Sequence, residues 1–288
     1  MKFSIIVVAL NPGDALIYTL ESILKQTYTD FEIIVKDGGS TDGSMEKLPQ
    51  DLRIHLVQKK DSGIYDAMNQ AVAESKGEFI NFMNCGDRFN DEFVLEKVSR
   101  VIEKNMECAG NRGAAYGTES QTPNEETAGN NESDARVILY GDTYSKRADS
   151  VKKAYSKITP SVCYRYIPCH QAMFYQRQTI ADRGFDTKYR IRGDHEHFLY
   201  SYFEGGVSFE YLDFPVCEYE GGGVSENKKN NARNKAEYNE IVKKYIPLKT
   251  RFLERARLIL TLQKVREKMA NSKTFGKFYE KIRNSVKA

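Results

Sequence analysis

The chain has 288 residues, 40% of them apolar, 29% charged and 11% aromatic, which suffices to bury one large core and excludes collagen-like, disulfide-scaffold and wholly disordered classes. Net charge is only +3, but it is unevenly spread: residues 249–288 hold twelve Lys and Arg against three Glu, net +9, leaving −6 on residues 1–248. An acidic body with a basic tail gives no electrostatic case for nucleic acid.

The first element is an apolar run, residues 5–10, within a strand expected over 2–10. The run is far shorter than the roughly 20 residues of a membrane span. It follows Met1-Lys2-Phe3 with no small-residue cleavage site and ends at Asn11-Pro12-Gly13, so it is read as strand and turn, not as a signal peptide, and a cytosolic location is expected. A helix starting at Asp14 or Thr19 then places Leu16, Leu20, Ile23 and Leu24 on one face. Strands are expected over 31–36, 53–58 and 79–83, with a short helix over 44–48 and a longer one over 64–75 between them. Strands separated by helical crossovers imply βαβ units, a parallel sheet and ligands at the carboxyl ends of its strands.

Residues 108–135 interrupt this order with Gly, Asn, Glu, Ser and Pro and almost no apolar side chains, and are read as a mobile surface insertion. A strand resumes over 137–142. Aromatic residues crowd 155–219, with a helix expected over 194–204 and a strand over 207–212. A flexible glycine loop at 221–223, a long helix over 230–245 and the basic tail complete the chain. The five cysteines (85, 108, 163, 169 and 217) are odd in number and form no C-x-x-C pair, so neither a disulfide framework nor a zinc site is expected.

Two turns carry chemistry. The first, Asp37-Gly-Gly-Ser-Thr-Asp-Gly43, follows a buried strand; its carboxylates can accept hydrogen bonds from a ribose or base, or Ser40 or Asp42 can cap the next helix. The second, Asn84-Cys-Gly-Asp87, puts Asp87 where it can ligate Mg²⁺ or Mn²⁺ or cap a helix over 93–101.

The ordered motifs Ser4–Asn11, Leu20-Glu-Ser-Ile-Leu-Lys-Gln26, Asp37–Gly43, Asp61-Ser-Gly-Ile-Tyr-Asp-Ala-Met-Asn69 and Gly77–Asp87 resemble family 2 glycosyltransferases with the GT-A fold, of the type that builds bacterial surface polysaccharides. The likeness covers about the first 90 residues and continues more weakly through His170-Gln-Ala-Met-Phe174 to Asp194. It implies an α/β fold: a Rossmann-like, mostly parallel central sheet with flanking helices and a C-terminal helical appendage. A GT-A domain is expected over 1–245, with a nucleotide-sugar half over 1–107, the insertion over 108–135 and an acceptor half over 136–245. Residues 246–288 are expected to form a basic amphipathic helical tail.

The resemblance implies roles residue by residue. Asp37 contacts the nucleoside and the backbone from Ala9 to Asn11 borders the base; Asp61, Tyr65, Asp66, Asn69 and Asn84 line the nucleotide-sugar pocket. The family's D-x-D metal motif is replaced by Asn84-Cys85-Gly86-Asp87, which leaves Asp87 as the expected ligand of a divalent Mn²⁺ or Mg²⁺. Asp194 stands where the family places the general base of an inverting transfer, with His195 or Glu196 as fallbacks and a helix N-cap as the structural alternative. His170 and His195 are expected at the acceptor or the diphosphate.

The expected activity is transfer of a sugar from a nucleotide diphosphate donor, UDP-sugar favoured, to a hydroxyl of a glycan or lipid-linked glycan in surface polysaccharide assembly. The alternative is a non-catalytic nucleotide-sugar-binding module with a degenerate metal motif. A nucleotidyltransferase is disfavoured because no basic glycine-rich loop follows the first strand. The tail interleaves apolar with basic residues, a pattern that suits an anionic membrane surface, packing on the domain or a homodimer contact.

Overall fold

The computed structural model describes residues 1–110, 136–221, 228–260 and 272. The expected elements of the first half appear in order: β1 (Phe3–Ala9), α1 (Ala15–Leu24), β2 (Phe31–Asp37), β3 (Ile54–Gln58), α2 (Ile64–Glu74), β4 (Phe79–Phe82), the two-residue β5 (Arg88–Phe89) and α3 (Val94–Gly110). Helix α3 runs through the first three residues of the expected insertion; the remainder, 111–135, lies outside the described residues. The second half comprises β6 (Val137–Ser145), β7 (Ser150–Lys152), α4 (Pro160–Arg165), β8 (Met173–Gln176), α5 (Arg177–Ala181), α6 (Gly193–Phe203), β9 (Ser208–Tyr219), α7 (Asn231–Tyr245) and α8 (Leu248–Leu260).

One sheet joins both halves in the order β3-β2-β1-β4-β8-β6-β9-β5, with β7 paired to β6. The strands from the first 82 residues are parallel, with Ala9 level with Asp37 and Asp37 level with Gln58. Beyond β4 the directions mix: β8 is antiparallel to β4 and to β6, β6 and β9 are parallel, and β5 is antiparallel to β9. Period-2 alternation divides the core. Phe3, Ile5 and Val7 join Leu16, Leu20, Val94 and Val98 under α1 and α3. Ile6 and Ile34 join Met68, Phe198 and Ile241 under α2, α6 and α7. Such strands, covered on both faces, read as continuous apolar runs.

Strand β9 outruns the expected 207–212 by seven residues. The sequence signal stops there because Asp213 has a left-handed backbone (φ 48°) and Pro215 lacks an amide donor. Register shifts between Tyr140 and Thr143 on β6 absorb both irregularities, as a β-bulge does.

Helix α8 opens the basic tail. Its inner face packs on α4 through buried Glu254, 3.1 Å from the Arg165 guanidinium, and through partly buried Leu258. Its outer face leaves Leu248, Phe252 and Leu253 exposed beside Lys249, Arg255 and Arg257. The rest of the tail, other than residue 272, lies outside the described residues. Among the described residues no helix is long and apolar enough to cross a membrane.

Candidate active site

The turn after β4 is shaped by Gly86, whose φ of +96° favours a residue without a side chain. Thr19 on α1 pins it: the Gly86 amide donates to the Thr19 hydroxyl at 2.9 Å, and that hydroxyl lies 2.7 Å from the Asp87 carbonyl. Asp87 is thereby turned inward and buried. Its Oδ1 accepts from the Glu220 amide at 3.0 Å and its Oδ2 from Gln171 Nε2 at 2.5 Å. Burial outweighs these neutral donors and raises its pKa. Gln171 is held in turn by Asn81 of β4, whose side-chain amide donates to the Gln171 and Met173 carbonyls.

Asp194 lies in the first turn of α6. Its Oδ1 accepts from the His195 amide at 2.8 Å and lies 2.8 Å from the Tyr65 hydroxyl; its Oδ2 is 3.4 Å from His170 Nδ1. The Tyr65 hydroxyl is also 2.9 Å from the Ile191 carbonyl, so its single proton serves one acceptor at a time. Gly193 makes this approach feasible, because a Cβ there would sit 2.7 Å from the Tyr65 ring. Burial works to raise the Asp194 pKa, but His170 and the Tyr65 hydroxyl hold it at about 2. Burial likewise opposes charge on His170, and Asp194 overcomes it and raises the imidazole pKa. The expected N-cap bond is not made: Arg192 occupies the cap position, with no side-chain cap hydrogen bond.

Asp194, His170, Tyr65 and Asn84 line a common cavity of about 540 Å³, together with Gln171, Arg190 and Tyr219. The side chains of His170 and Asp194 remain 19% and 21% exposed, enough to meet a ligand there. Asn84 Oδ1 and His170 Nε2 are buried without a hydrogen-bond partner among the described residues, which is unusual for polar atoms. An unpartnered amide oxygen on the same turn as a buried carboxylate suits Mg²⁺ or Mn²⁺, which take one or two protein oxygens and fill the remaining positions with phosphate and water. Asn84 Oδ1 and the Asp87 carboxylate, whose oxygens now accept from Gln171 and Glu220, are the protein oxygens of this turn that would hold a divalent ion, which would take its other ligands from substrate and water. Among the described residues no group of three His, Cys, Asp or Glu is placed to hold a metal alone.

The turn after β2 is zipped to the turn after β1. The Asn11 amide donates to Ser40 Oγ and the Thr41 amide to Asn11 Oδ1, both at 2.8 Å, with Asn11 itself in a left-handed conformation (φ 50°). Asp37 is fully buried; burial alone would raise its pKa, but the Ser40 hydroxyl and amide and Gln58 lower it. Asp61 sits nearby, 3.1 Å from the buried Lys36 ammonium.

Several expected residues are used elsewhere. Asp66 accepts the Ser62 amide at 2.7 Å, and Asn69 bonds both the amide and the carbonyl of Phe185; both fasten backbone and neither lines the large cavity. Ala9 is buried, and its neighbour Val8 reaches the cavity instead. His195 turns away from the cavity, its Nδ1 3.3 Å from Arg192, and burial with that guanidinium drives its pKa down to about 4. Glu196 is no fallback base: it is buried and bound by Arg183, Lys244 and Tyr245. Gln171 and Tyr219 were absent from the expected set. Gln171 was legible beside His170 in the His-Gln motif, whereas Tyr219 reaches the cavity only because β9 runs long.

A family profile described as Glycosyl transferase family 2 matches residues 4–183. The chain belongs to glycosyl transferase family 2. Among curated relatives, a PGL/p-HBAD biosynthesis glycosyltransferase of Mycobacterium bovis (strain BCG / Pasteur 1173P2) is 27% identical over 232 residues, covering 77% of this chain and 78% of the relative. Glycosyltransferase GlyG of Streptococcus pneumoniae is 34% identical over 109 residues, 36% of each chain. In structure the chain is similar to S. aureus TarS 1-349 in complex with UDP (TM-score 0.58, 19% identity, 77% of this chain and 61% of that one). It is also similar to the mannosyltransferase PcManGT of Pyrobaculum calidifontis in complex with GDP-Man and Mn²⁺ (TM-score 0.55, 14% identity, 97% and 84%). The family 2 chain thus spans about three-fifths of that TarS chain, and the expected GT-A architecture is the observed one.

Proposed function

We propose that this family 2 protein transfers a sugar, with inversion, from a nucleotide diphosphate donor to a hydroxyl of a glycan or lipid-linked glycan. The observation that carries the reading is Asp194: a carboxylate whose pKa His170 and Tyr65 hold at about 2, on the wall of a 540 Å³ cavity that Asn84, from the turn that bears Asp87, also lines. Residues 1–107 supply the donor half, with Asn11 and the turn that buried Asp37 braces through Ser40 at the nucleoside, and 136–245 the acceptor half. A UDP-sugar is the favoured donor, supported by the TarS complexes with UDP and UDP-GlcNAc.

In this mechanism Asp194 takes the proton of the attacking hydroxyl as the anomeric bond to the diphosphate breaks, help worth about 10²- to 10⁴-fold. Tyr65 and His170 orient the carboxylate, and Arg190 presents positive charge to the cavity. A divalent ion held by Asp87 and Asn84 would neutralise charge that develops on the departing diphosphate. The apolar and basic outer face of α8 would rest on an anionic membrane surface, where a lipid-linked acceptor resides.

The test is hydrolysis of a panel of UDP-, GDP- and dTDP-sugars with Mn²⁺, Mg²⁺ or EDTA, by wild type and Asp87→Ala. Metal-dependent hydrolysis of one donor is expected, falling about 10²-fold in the variant. Donor binding without turnover at any acceptor would favour the non-catalytic module, and absence of nucleotide binding would overturn the proposal.

A further inference from the structure

A second cavity, of about 230 Å³, adjoins the first and shares Ile167 and Arg192 with it. Its own walls are aromatic and cationic: Tyr164, Tyr166 and Tyr238 alternate with Arg165 and Arg192, and Leu258 of α8 closes one side. Arg192 lies 5.2 Å over the Tyr238 ring, and Arg255 of α8 also acts on Tyr238. Among the described residues no carboxylate borders the cavity; the nearby Glu254 pairs with Arg165 and offsets its charge, leaving Arg192 as the lining guanidinium without a carboxylate beside it. His195, the remaining wall, contributes no charge at neutral pH.

The position of this cavity is as informative as its lining. Asp194 and His195 are consecutive on α6, yet Asp194 faces the large cavity and His195 the small one. No residue of β1–β4 or of the turns after them borders the small cavity, so a ligand seated there lies off the donor half and reaches the Asp194 cavity through the shared Ile167 and Arg192. Tyrosine rings present flat amphipathic faces to sugar C–H groups, and a guanidinium fork matches phosphate or carboxylate oxygens. Tyrosines around the Arg192 guanidinium, with no acid lining the cavity among the described residues, therefore suit an anionic sugar unit better than a neutral one.

We propose that the second cavity is an anion subsite for the acceptor, taking the unit next to the accepting sugar through a phosphate or uronate group gripped by Arg192 between the Tyr166 and Tyr238 rings. The inference rests on the sugar-transfer reading. It explains why α8 closes the cavity from behind: the helix that exposes Phe252 and Leu253 outward presents Leu258 inward to the same ligand.

The experiment is calorimetric titration of the full chain, saturated with UDP and Mn²⁺ so that the donor's diphosphate site is filled, with three probes. These are farnesyl diphosphate-linked N-acetylglucosamine, methyl β-glucuronide and methyl β-glucoside. One anionic probe should bind at least about tenfold more tightly than methyl β-glucoside, and Arg192→Gln and Tyr238→Leu should each remove about tenfold of that affinity. UDP affinity should stay within about twofold in Tyr238→Leu. The preferred anionic probe tells a lipid diphosphate from a uronate. Equal binding of the neutral probe, or binding of neither anionic probe to protein that binds UDP, overturns the inference. Should one variant not fold, the wild-type preference and the other variant decide. Failure of wild type to bind UDP is a separate result, which removes the transfer reading itself.

Discussion

Two regions meet at the large cavity, the turn after β4 with Asp87 and the start of α6 with Asp194; burial works to raise the carboxyl pKa in both, and the partners overcome it in only one. Asp87 is met by a backbone amide and the Gln171 side-chain amide. Neutral donors do not offset desolvation, and its pKa is raised. Asp194 is met by an imidazole as well as by a hydroxyl and an amide, and its pKa stays at about 2. What differs is the charge of the partner, not depth alone. A carboxylate without a cation of its own is the one a divalent ion would complete, whereas Asp194 already carries its counter-charge.

The largest effect that tests this comparison is Asp194→Asn. Loss of the base should lower kcat for transfer by about 10²- to 10⁴-fold with UDP affinity unchanged; a kcat near wild type would assign proton removal elsewhere. Tyr65→Phe is next and sharpens the account of why Asp194 stays ionised. The rate requires the carboxylate form, so activity is lost as pH falls through the Asp194 pKa. Removing the hydroxyl raises that pKa, and the acid limb of the kcat–pH profile should move up by about one pH unit, as expected for a hydrogen bond to a charged group. An unmoved limb would mean that the Tyr65 proton is committed to the Ile191 carbonyl.

The smallest effect lies on the far side of the acceptor half. Replacing Phe252 and Leu253, which are 73% and 55% exposed, with Ser should reduce partitioning onto anionic vesicles about tenfold and leave donor hydrolysis in solution unchanged. Equal partitioning would detach α8 from any membrane role.

Legibility followed how locally each feature is determined. The central parallel strands were readable because strands buried on both faces are nearly continuously apolar, as in residues 5–9 and 33–35, and the helix periods followed from single-face burial. Asp37, Asp87, His170 and Asp194 were singled out through motif order and resemblance; the structure sets His170 and Asp194 on the cavity wall and buries Asp37 and Asp87. Asp66 and Asn69 were misplaced because two side chains on one helix segment, identical in motif terms, can face a cavity or a neighbouring backbone depending on what packs there; here Ser62 and Phe185 claim them. Glu196 was misplaced for the same reason, since Arg183, Lys244 and Tyr245 converge on it from elements up to 49 residues away.

The sequence by itself determined the alternation of strands and helices, the turns that end at the carboxyl edge of the sheet and the family, because each rests on local periodicity or on short motifs. Only the tertiary structure decided which carboxylate has its pKa lowered and which raised, that Tyr65 serves Asp194, that Gln171 braces Asp87, and that His195 belongs to a second cavity. Those outcomes depend on the partners that long-range pairing of β4 with β8 and β5 with β9 brings within hydrogen-bond reach, and electrostatics acts over those few ångströms whatever the separation along the chain.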